Sequence, residues 1–180
     1  MPDYAIFNIN YRLAALPATN PFPAQELDVK AAVEFIYANR SSFLMSDKFV
    51  LLGASAGGHL SLLQAYKHRS VVKIKAVVDF FFFFDMVALY HDYSSSPPTQ
   101  LGIFALMSGT PATNPALYQS SSPIQFVDAS TSPTIIIQGG ADPVVNATTQ
   151  SLALSNKLTS FNVATQYVFY PAGGHGNWST

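Results

Sequence analysis

The segment Gly53-Ala54-Ser55-Ala56-Gly57-Gly58 constrains the fold of this chain more than any other part of its sequence. It follows the apolar run Phe49-Val50-Leu51-Leu52, which is typical of a buried strand, and it leads into an apolar stretch with helical spacing. A strand that turns into a helix through Gly-x-Ser-x-Gly holds the serine in a strained turn, with its hydroxyl clear of the backbone. We expect the glycines two residues before and after Ser55 to be needed because side chains would clash there. The segment therefore predicts a nucleophilic serine, and the alternative is a glycine-rich turn that has no chemistry or binds a phosphate.

Composition narrows the class of protein. A chain of 180 residues fits one domain, and a net charge of −1 at pH 7 gives no basis for binding nucleic acid or an anionic membrane. Because the sequence has no cysteine, disulfides and thiol chemistry are excluded. No apolar run reaches the length of a transmembrane helix, and Met1-Pro2-Asp3-Tyr4 does not begin a signal peptide. The localisation stays open between the cytoplasm and, if a further segment precedes this one, secretion.

Charged residues are scarce in this sequence. They make up 11% of the chain, whereas ordinary soluble domains contain about 25%. A free-standing domain of this size should present a more charged surface to water. We therefore expect that the chain is unusually prone to associate, or that part of its surface is normally covered by something else.

Predicted strands alternate with predicted helices along the chain. Such alternation indicates an α/β fold with a mainly parallel, doubly wound sheet, incomplete here with about five strands. The stretch 85–132 is rich in Ser, Pro and Thr and is predicted to contain only short helices, near 101–107 and 115–119. Ligands of such sheets bind beyond the carboxyl ends of the strands. The apolar pattern predicts strands at 4–11, 47–52, 73–80, 133–138 and 164–170, and longer helices at 24–39, 57–68 and 146–160.

Three loops at predicted strand ends carry residues that could act together. Ser55 follows one strand, Asp142 follows the strand at 133–138, and His175 lies in a glycine-rich loop after the last strand. A serine hydroxyl becomes an effective nucleophile when a histidine takes its proton and a carboxylate orients that histidine. The order Ser, Asp, His along the chain is the order found in α/β-hydrolases. We therefore predict that Ser55, Asp142 and His175 act as nucleophile, acid and base.

Other acids and histidines have competing interpretations. Asp142 itself, in Gly-Ala-Asp-Pro, is also suited to capping the helix that follows it. Asp128 competes for the role of the acid, but it precedes its strand and so belongs at the opposite edge of the sheet. Structural roles are favoured for Asp79 and Asp85, near the end of the strand 73–80. Each of the other histidines has a different interpretation. His59 is interpreted as a packing or hydrogen-bonding residue, His68 as a helix C-terminal residue and His91 as a pocket-lining residue.

Five segments occur in an order that matches a known superfamily. They are Asn10-Tyr11-Arg12-Leu13, Phe22-Pro23-Ala24-x-x-x-Asp28-Val29, Gly53-Ala54-Ser55-Ala56-Gly57-Gly58-His59-Leu60, Gly139-x-x-Asp142-Pro143-Val144-Val145 and Gly173-Gly174-His175-Gly176. Together they resemble the esterase branch of the α/β-hydrolases, near the bacterial feruloyl-esterase-like and hormone-sensitive-lipase-like carboxylesterases. The resemblance covers nearly the whole chain, and as a set these motifs are specific.

The resemblance implies a serine hydrolase that cleaves carboxylic esters through an acyl-enzyme and needs no metal or organic cofactor. It implies Ser55 as nucleophile, Asp142 as acid and His175 as base, with Ala56 providing an oxyanion-hole N–H and Gly57 beside it in the same oxyanion or substrate-binding turn. The implied substrates are small-molecule esters with short-chain, aryl or sugar-linked acyl groups. Two alternatives stay open: a peptidase or amidase on the same three residues, and a catalytically weak fragment or non-catalytic module.

The sequence departs from this family at both ends. It begins at what resembles the family's fourth strand, without the His-Gly-Gly motif that supplies the other oxyanion donors, and it ends before the family's last helix. We therefore expect 1–180 to be one partial α/β-hydrolase domain, with 85–132 as a cap or pocket wall. In the family, the third strand lies between the fourth and fifth, so the strand before Ser55 should have an exposed edge. Weak stability, weak activity, and self-association or a complementing segment at that edge are the expected consequences.

The run Phe80-Phe81-Phe82-Phe83-Phe84 is a second departure, because the resemblance predicts a Gly-Pro turn before Asp85. Five consecutive phenylalanines have high β-propensity and contain no charge and no turn former, which is a signature of aggregation. The run is interpreted either as an aromatic wall of the acyl pocket or as an altered turn, and the second interpretation is favoured.

Overall fold

Four parallel strands form one sheet in the computed structural model, which describes residues 4–15 and 19–176. Residues 1–3, considered above for a signal peptide, lie outside the described residues. The predicted α/β fold with a parallel sheet is confirmed. The strands lie side by side in chain order: β1 (Phe49–Ala54), β2 (Ile74–Phe80), β3 (Thr134–Gly139) and β4 (Thr165–Tyr170).

Helical segments connect the strands, as parallel pairing requires. The stretch between β2 and β3 contains a third helix that was not expected, and Asp85 caps it by accepting hydrogen bonds from the N–H groups of Val87 and Ala88. The helices are α1 (Ala24–Ala38), α2 (Ala56–Tyr66), α3 (Met86–Asp92), α4 (Pro97–Met107), α5 (Pro115–Ser120) and α6 (Ala153–Ser160), with a 3-10 turn at Pro123–Phe126 and a π-turn at Thr148–Leu152 that runs into α6.

Helix α2 is the centre of the core. It packs against β1, β2 and α1. The side chains of Leu62, Leu63 and Tyr66 are fully buried, and the Tyr66 hydroxyl lies 2.7 Å from the Thr134 hydroxyl at the start of β3. Because α2 is buried on nearly every side, it holds the turn before it firmly against the sheet.

The first predicted strand is not part of the sheet, so the described residues contain four strands and not about five. Residues 4–14 form no backbone ladder with β1 to β4. Tyr4 and Ile6 are 80% and 90% exposed, and the segment is attached at its end by the ion pair of Arg12 with Asp28 at 2.7 Å. An alternating apolar pattern needs a neighbouring strand to become a strand, and β1 does not pair with this segment.

The register of the sheet places its polar loops along one edge. Ala54 at the end of β1 lies opposite Phe80 at the end of β2, and Gly139 at the end of β3 lies opposite Tyr170 at the end of β4. Because all four strands run in the same direction, the turns that follow them meet at the same carboxyl edge.

Candidate active site

Ser55 occupies the turn between β1 and α2. Its φ of 52° and ψ of −123° lie in a region that residues with a side chain rarely adopt. Two backbone hydrogen bonds hold the turn, since the Ser55 N–H donates to the Phe80 carbonyl at 2.9 Å and the Ser55 carbonyl accepts from the His59 N–H at 3.1 Å. The strained conformation predicted for this serine is therefore present, and it is fixed from both neighbouring elements.

Of the two glycines expected to be needed around Ser55, the close contacts confirm Gly53 but not Gly57. A Cβ on Gly53 would lie 2.4 Å from the carbonyl carbon of Gly57, and one on Gly58 would lie 2.0 Å from Oδ1 of Asp79. A Cβ on Gly57 would meet no atom of the described residues within 4 Å. The expected clash at Gly57 is therefore wrong: Gly57 faces open space, whereas Gly58 faces the buried carboxyl group of β2.

Ser55, His175 and Asp142 lie in one continuous chain of polar contacts. His175 Nε2 lies 3.1 Å from Ser55 Oγ, and His175 Nδ1 lies 2.9 Å from Asp142 Oδ2. These three residues follow β1, β4 and β3 respectively, so the carboxyl edge of the sheet brings them together from far apart in sequence. The geometry allows one imidazole to take a proton from the serine while its other nitrogen faces a carboxylate.

Asp142 also holds the loop that follows β3, but it does not cap the next helical segment, which begins only at Thr148. Its Oδ1 accepts hydrogen bonds from the N–H groups of Val144 at 2.7 Å and Val145 at 2.9 Å, while Oδ2 faces His175. The alternative interpretation of Asp142 as a helix cap is therefore wrong: one carboxyl oxygen binds the loop and the other faces His175. The side chain of Asp142 is fully buried, which fixes the direction in which Oδ2 points.

Gln138 is a site residue that the sequence interpretation missed. It is fully buried at the end of β3, where its Nε2 donates to Asp142 Oδ2 at 3.1 Å and its Oε1 accepts from the Ser151 hydroxyl at 2.7 Å. The signal for it was a single amide at the end of the apolar run Ile135-Ile136-Ile137, directly before the loop that carries Asp142. Its amide orients the carboxylate that faces the histidine.

The phenylalanine run forms a packed turn after β2. Phe82 and Phe84 are fully buried, and Phe83 packs against His59 with ring centroids 5.0 Å apart. Phe81 lies at the site, with its ring centroid 4.6 Å from that of His175. The alternating burial of these rings replaces the expected Gly-Pro turn, so their apolar surface is largely covered by the protein itself.

Three of the other candidate residues have partners other than Ser55. Asp128 pairs with Arg69 at 2.7 Å, and His68 contacts Glu26 between α1 and the end of α2. His59 donates from Nδ1 to the Phe83 carbonyl at 2.9 Å, and burial lowers the pKa of His59 to about 4. His59 is therefore neutral at pH 7, and it has the packing and hydrogen-bonding role predicted for it.

Ala56 and Gly57 are the first two residues of α2. The first N–H groups of a helix have no partner within the helix and carry the positive end of its dipole.

A polar cavity of about 350 Å³ lies beside the Asp142 loop, lined by residues that include Tyr93, Asp142 and Thr148. Asp142 lines this cavity, but Ser55 and His175 do not.

No group of three or more His, Cys, Asp or Glu side chains within 4–15 and 19–176 is arranged to hold a metal ion. In the same part of the chain, no helix combines the length and the apolar character needed to cross a membrane.

A parallel sheet with its polar loops gathered at the carboxyl edge, and a serine between strand and helix, is an α/β-hydrolase-type architecture. The chain belongs to the BD-FAE family, whose family model matches residues 1–158. This confirms the resemblance seen in the sequence motifs. The matched region contains Ser55 and Asp142, and His175 lies beyond it. Comparison with curated proteins gives no match.

Several solved structures are similar to this chain. A truncated form of a carbohydrate esterase from gut microbiota is 28% identical, with a TM-score of 0.72, over 86% of this chain and 62% of that chain. The bifunctional GH43-CE of Bacteroides eggerthii is 28% identical, with a TM-score of 0.75, over 89% of this chain and 26% of that chain. An acetyl ester-xyloside bifunctional hydrolase from Caldicellulosiruptor lactoaceticus is 24% identical, with a TM-score of 0.75, over 93% of this chain and 61% of that chain. The chain thus spans less than two thirds of the length of each structure.

Proposed function

We propose that this chain hydrolyses carboxylic esters by nucleophilic attack of Ser55. The observation that carries the proposal is the continuous set of contacts from Ser55 Oγ to His175 at 3.1 Å and from His175 to Asp142 at 2.9 Å. The names of the similar structures support the same chemistry, since two proteins that are 28% identical to this chain are called a carbohydrate esterase and a GH43-CE protein.

The proposed reaction has two halves. Ser55 Oγ attacks the ester carbonyl as His175 Nε2 takes its proton, and the tetrahedral intermediate collapses to an acyl-serine while the imidazolium returns that proton to the departing alcohol. Water then attacks the acyl-serine with His175 again as base, which releases the carboxylic acid and restores Ser55. Asp142, held by Gln138, stabilises the imidazolium, and the Ala56 N–H beside Gly57 is the proposed donor to the oxyanion.

Acylated carbohydrates are the proposed substrate class, and small aryl esters should serve as test substrates. The support for a carbohydrate is the name of the gut-microbiota esterase, and it enters here as a proposal only. We also propose that 85–132 forms a wall of the substrate pocket. In support, the Tyr93 hydroxyl donates to the Val144 carbonyl at 2.6 Å, next to the Asp142 loop.

Hydrolysis of p-nitrophenyl acetate tests the proposal. The chain should hydrolyse it above the buffer rate, and Ser55→Ala should lower kcat by roughly 10⁴-fold or more, to the buffer background, because the acyl-enzyme can no longer form. Ser155→Ala in α6 is the matched control and should keep the parent rate. Equal rates for the parent chain and Ser55→Ala would overturn the proposal.

A further inference from the structure

We infer that Phe81 is a positioning residue that holds the imidazole of His175 in line with Ser55; the inference rests on the proposed function. The two rings have centroids 4.6 Å apart and are inclined at 59°. The contacts of His175 with Asp142 and Ser55 both use nitrogens at the edge of the imidazole ring. These contacts therefore restrain rotation of the ring within its own plane. Tilting of the imidazole out of its plane is restrained by groups packed against the ring, and the Phe81 ring is packed against it at this distance.

The backbone around His175 is rich in glycine, and the loop is held at Gly173 by hydrogen bonds with Tyr170 and Ala141. His175 follows Gly173 and Gly174 and precedes Gly176, whose φ is +79°. Glycine gives the chain more conformational freedom than any other residue. We therefore expect side-chain contacts to add to the restraint on the His175 ring, and the half-buried Phe81 ring is one of them.

Phe81 is itself held firmly at the end of β2. Its N–H donates to the Ile137 carbonyl of β3 at 2.8 Å, and its φ of 41° is an unfavourable conformation for a residue with a side chain. The preceding residue, Phe80, accepts the Ser55 N–H at 2.9 Å. One dipeptide thus holds the backbone of the proposed nucleophile and the ring of the proposed base, and the strained backbone directs the Phe81 ring onto His175.

Steady-state kinetics of p-nitrophenyl acetate hydrolysis by Phe81→Leu tests this inference. Leucine keeps most of the apolar volume but has no flat ring, so we expect kcat to fall at least about tenfold while KM stays within about twofold. Phe81→Tyr restores the ring and should restore kcat. Phe83→Leu is the matched control, because Phe83 faces His59 and not His175, and it should keep the parent kcat.

A second variant separates positioning from folding. Phe81→Gly removes the ring and also relieves the positive φ, so the backbone is expected to be retained, while the rate of fluorophosphonate labelling of Ser55 should fall at least about tenfold. A parent-like kcat in Phe81→Leu, or a rise in KM alone, would overturn the inference, the latter by making Phe81 a wall of the acyl pocket. If the parent rate does not depend on Ser55, the proposed function is overturned as well. If the rate depends on Ser55 but Phe81→Leu leaves it unchanged, only the positioning role is overturned.

Discussion

At the scale of single residues, Asp79 is the group whose charge this fold accommodates least well. Its side chain is fully buried in β2, and Gly58 at the start of α2 packs directly against it. Burial raises the pKa of Asp79 well above its ordinary value. The folded chain therefore keeps the proton that the unfolded chain releases near pH 4.

This shift predicts a pH dependence of stability that Asp79→Asn should reduce. The folded pKa lies above the unfolded one, so the contribution of Asp79 is fully present below about pH 4 and is lost as the pH rises through the folded pKa. Thermal unfolding at pH 5 and pH 8 measures the effect: the fall in Tm between them should be smaller in Asp79→Asn than in the parent. The exposed Asp47→Asn should behave like the parent, and an Asp79→Asn chain with the parent's pH dependence would contradict the shift.

The residues of the site were predictable from the sequence to different degrees. Chain order and position after strands were enough to select Ser55, Asp142 and His175, because parallel strands bring their carboxyl ends together whatever the details of packing. Gln138 and Phe81 could not be selected in this way. Their contacts with Asp142 and His175 depend on side-chain directions that only the packed structure determines.

At the scale of elements, the turn from β1 into α2 depends on close approach at Gly53 and Gly58, and Gly58 gives the clearer test. A Cβ at residue 58 would lie 2.0 Å from Asp79 Oδ1 and 3.0 Å from the Phe82 Cβ, so Gly58→Ala should lower the free energy of unfolding by about 1–3 kcal/mol. Gly57→Ala is the matched change one residue earlier, in open space, and should be neutral or stabilising by up to about 1 kcal/mol. Urea denaturation of both variants measures their free energies of unfolding. An equal loss of stability in the two variants would contradict the close packing of Gly58 against Asp79.

The elements also show where a sequence pattern fails. The strand predicted at 4–11 has the right alternation, but β1 carries no partner for it in the described residues, and its apolar side chains are largely exposed. In contrast, α4 begins at Pro97, earlier than the predicted 101–107, because proline is favoured at the first positions of a helix. Pairing is a property of the whole sheet, whereas a helix start is encoded locally.

At the scale of the whole molecule, β1 is an edge strand with an apolar surface. Val50 and Leu52 are 55% and 69% exposed, and β2 covers only one side of β1. Exposed apolar edge strands pair readily with other chains. We propose that the isolated chain self-associates through this edge, which agrees with its low content of charged residues.

The exposed edge of β1 predicts that the apparent molecular mass in solution rises with protein concentration. Leu52→Lys places a charge on the exposed side of β1 and should shift the population toward monomer. Leu44→Lys is a control, because Leu44 is 94% exposed outside the sheet and should leave association unchanged. Sedimentation velocity over a range of concentrations would decide the matter, and a parent chain that is monomeric throughout would argue against the proposed edge contact.

The most direct test of the central claim, that Ser55 is a nucleophile activated by His175, is fluorophosphonate labelling followed by peptide mapping. The reagent gives a covalent phosphonyl adduct on an activated serine and does not require turnover. The account predicts one adduct, on the peptide that contains Ser55, and labelling at least about 100-fold slower in His175→Ala because the hydroxyl then has no base. No adduct at Ser55, or an adduct that forms equally fast without His175, would contradict it.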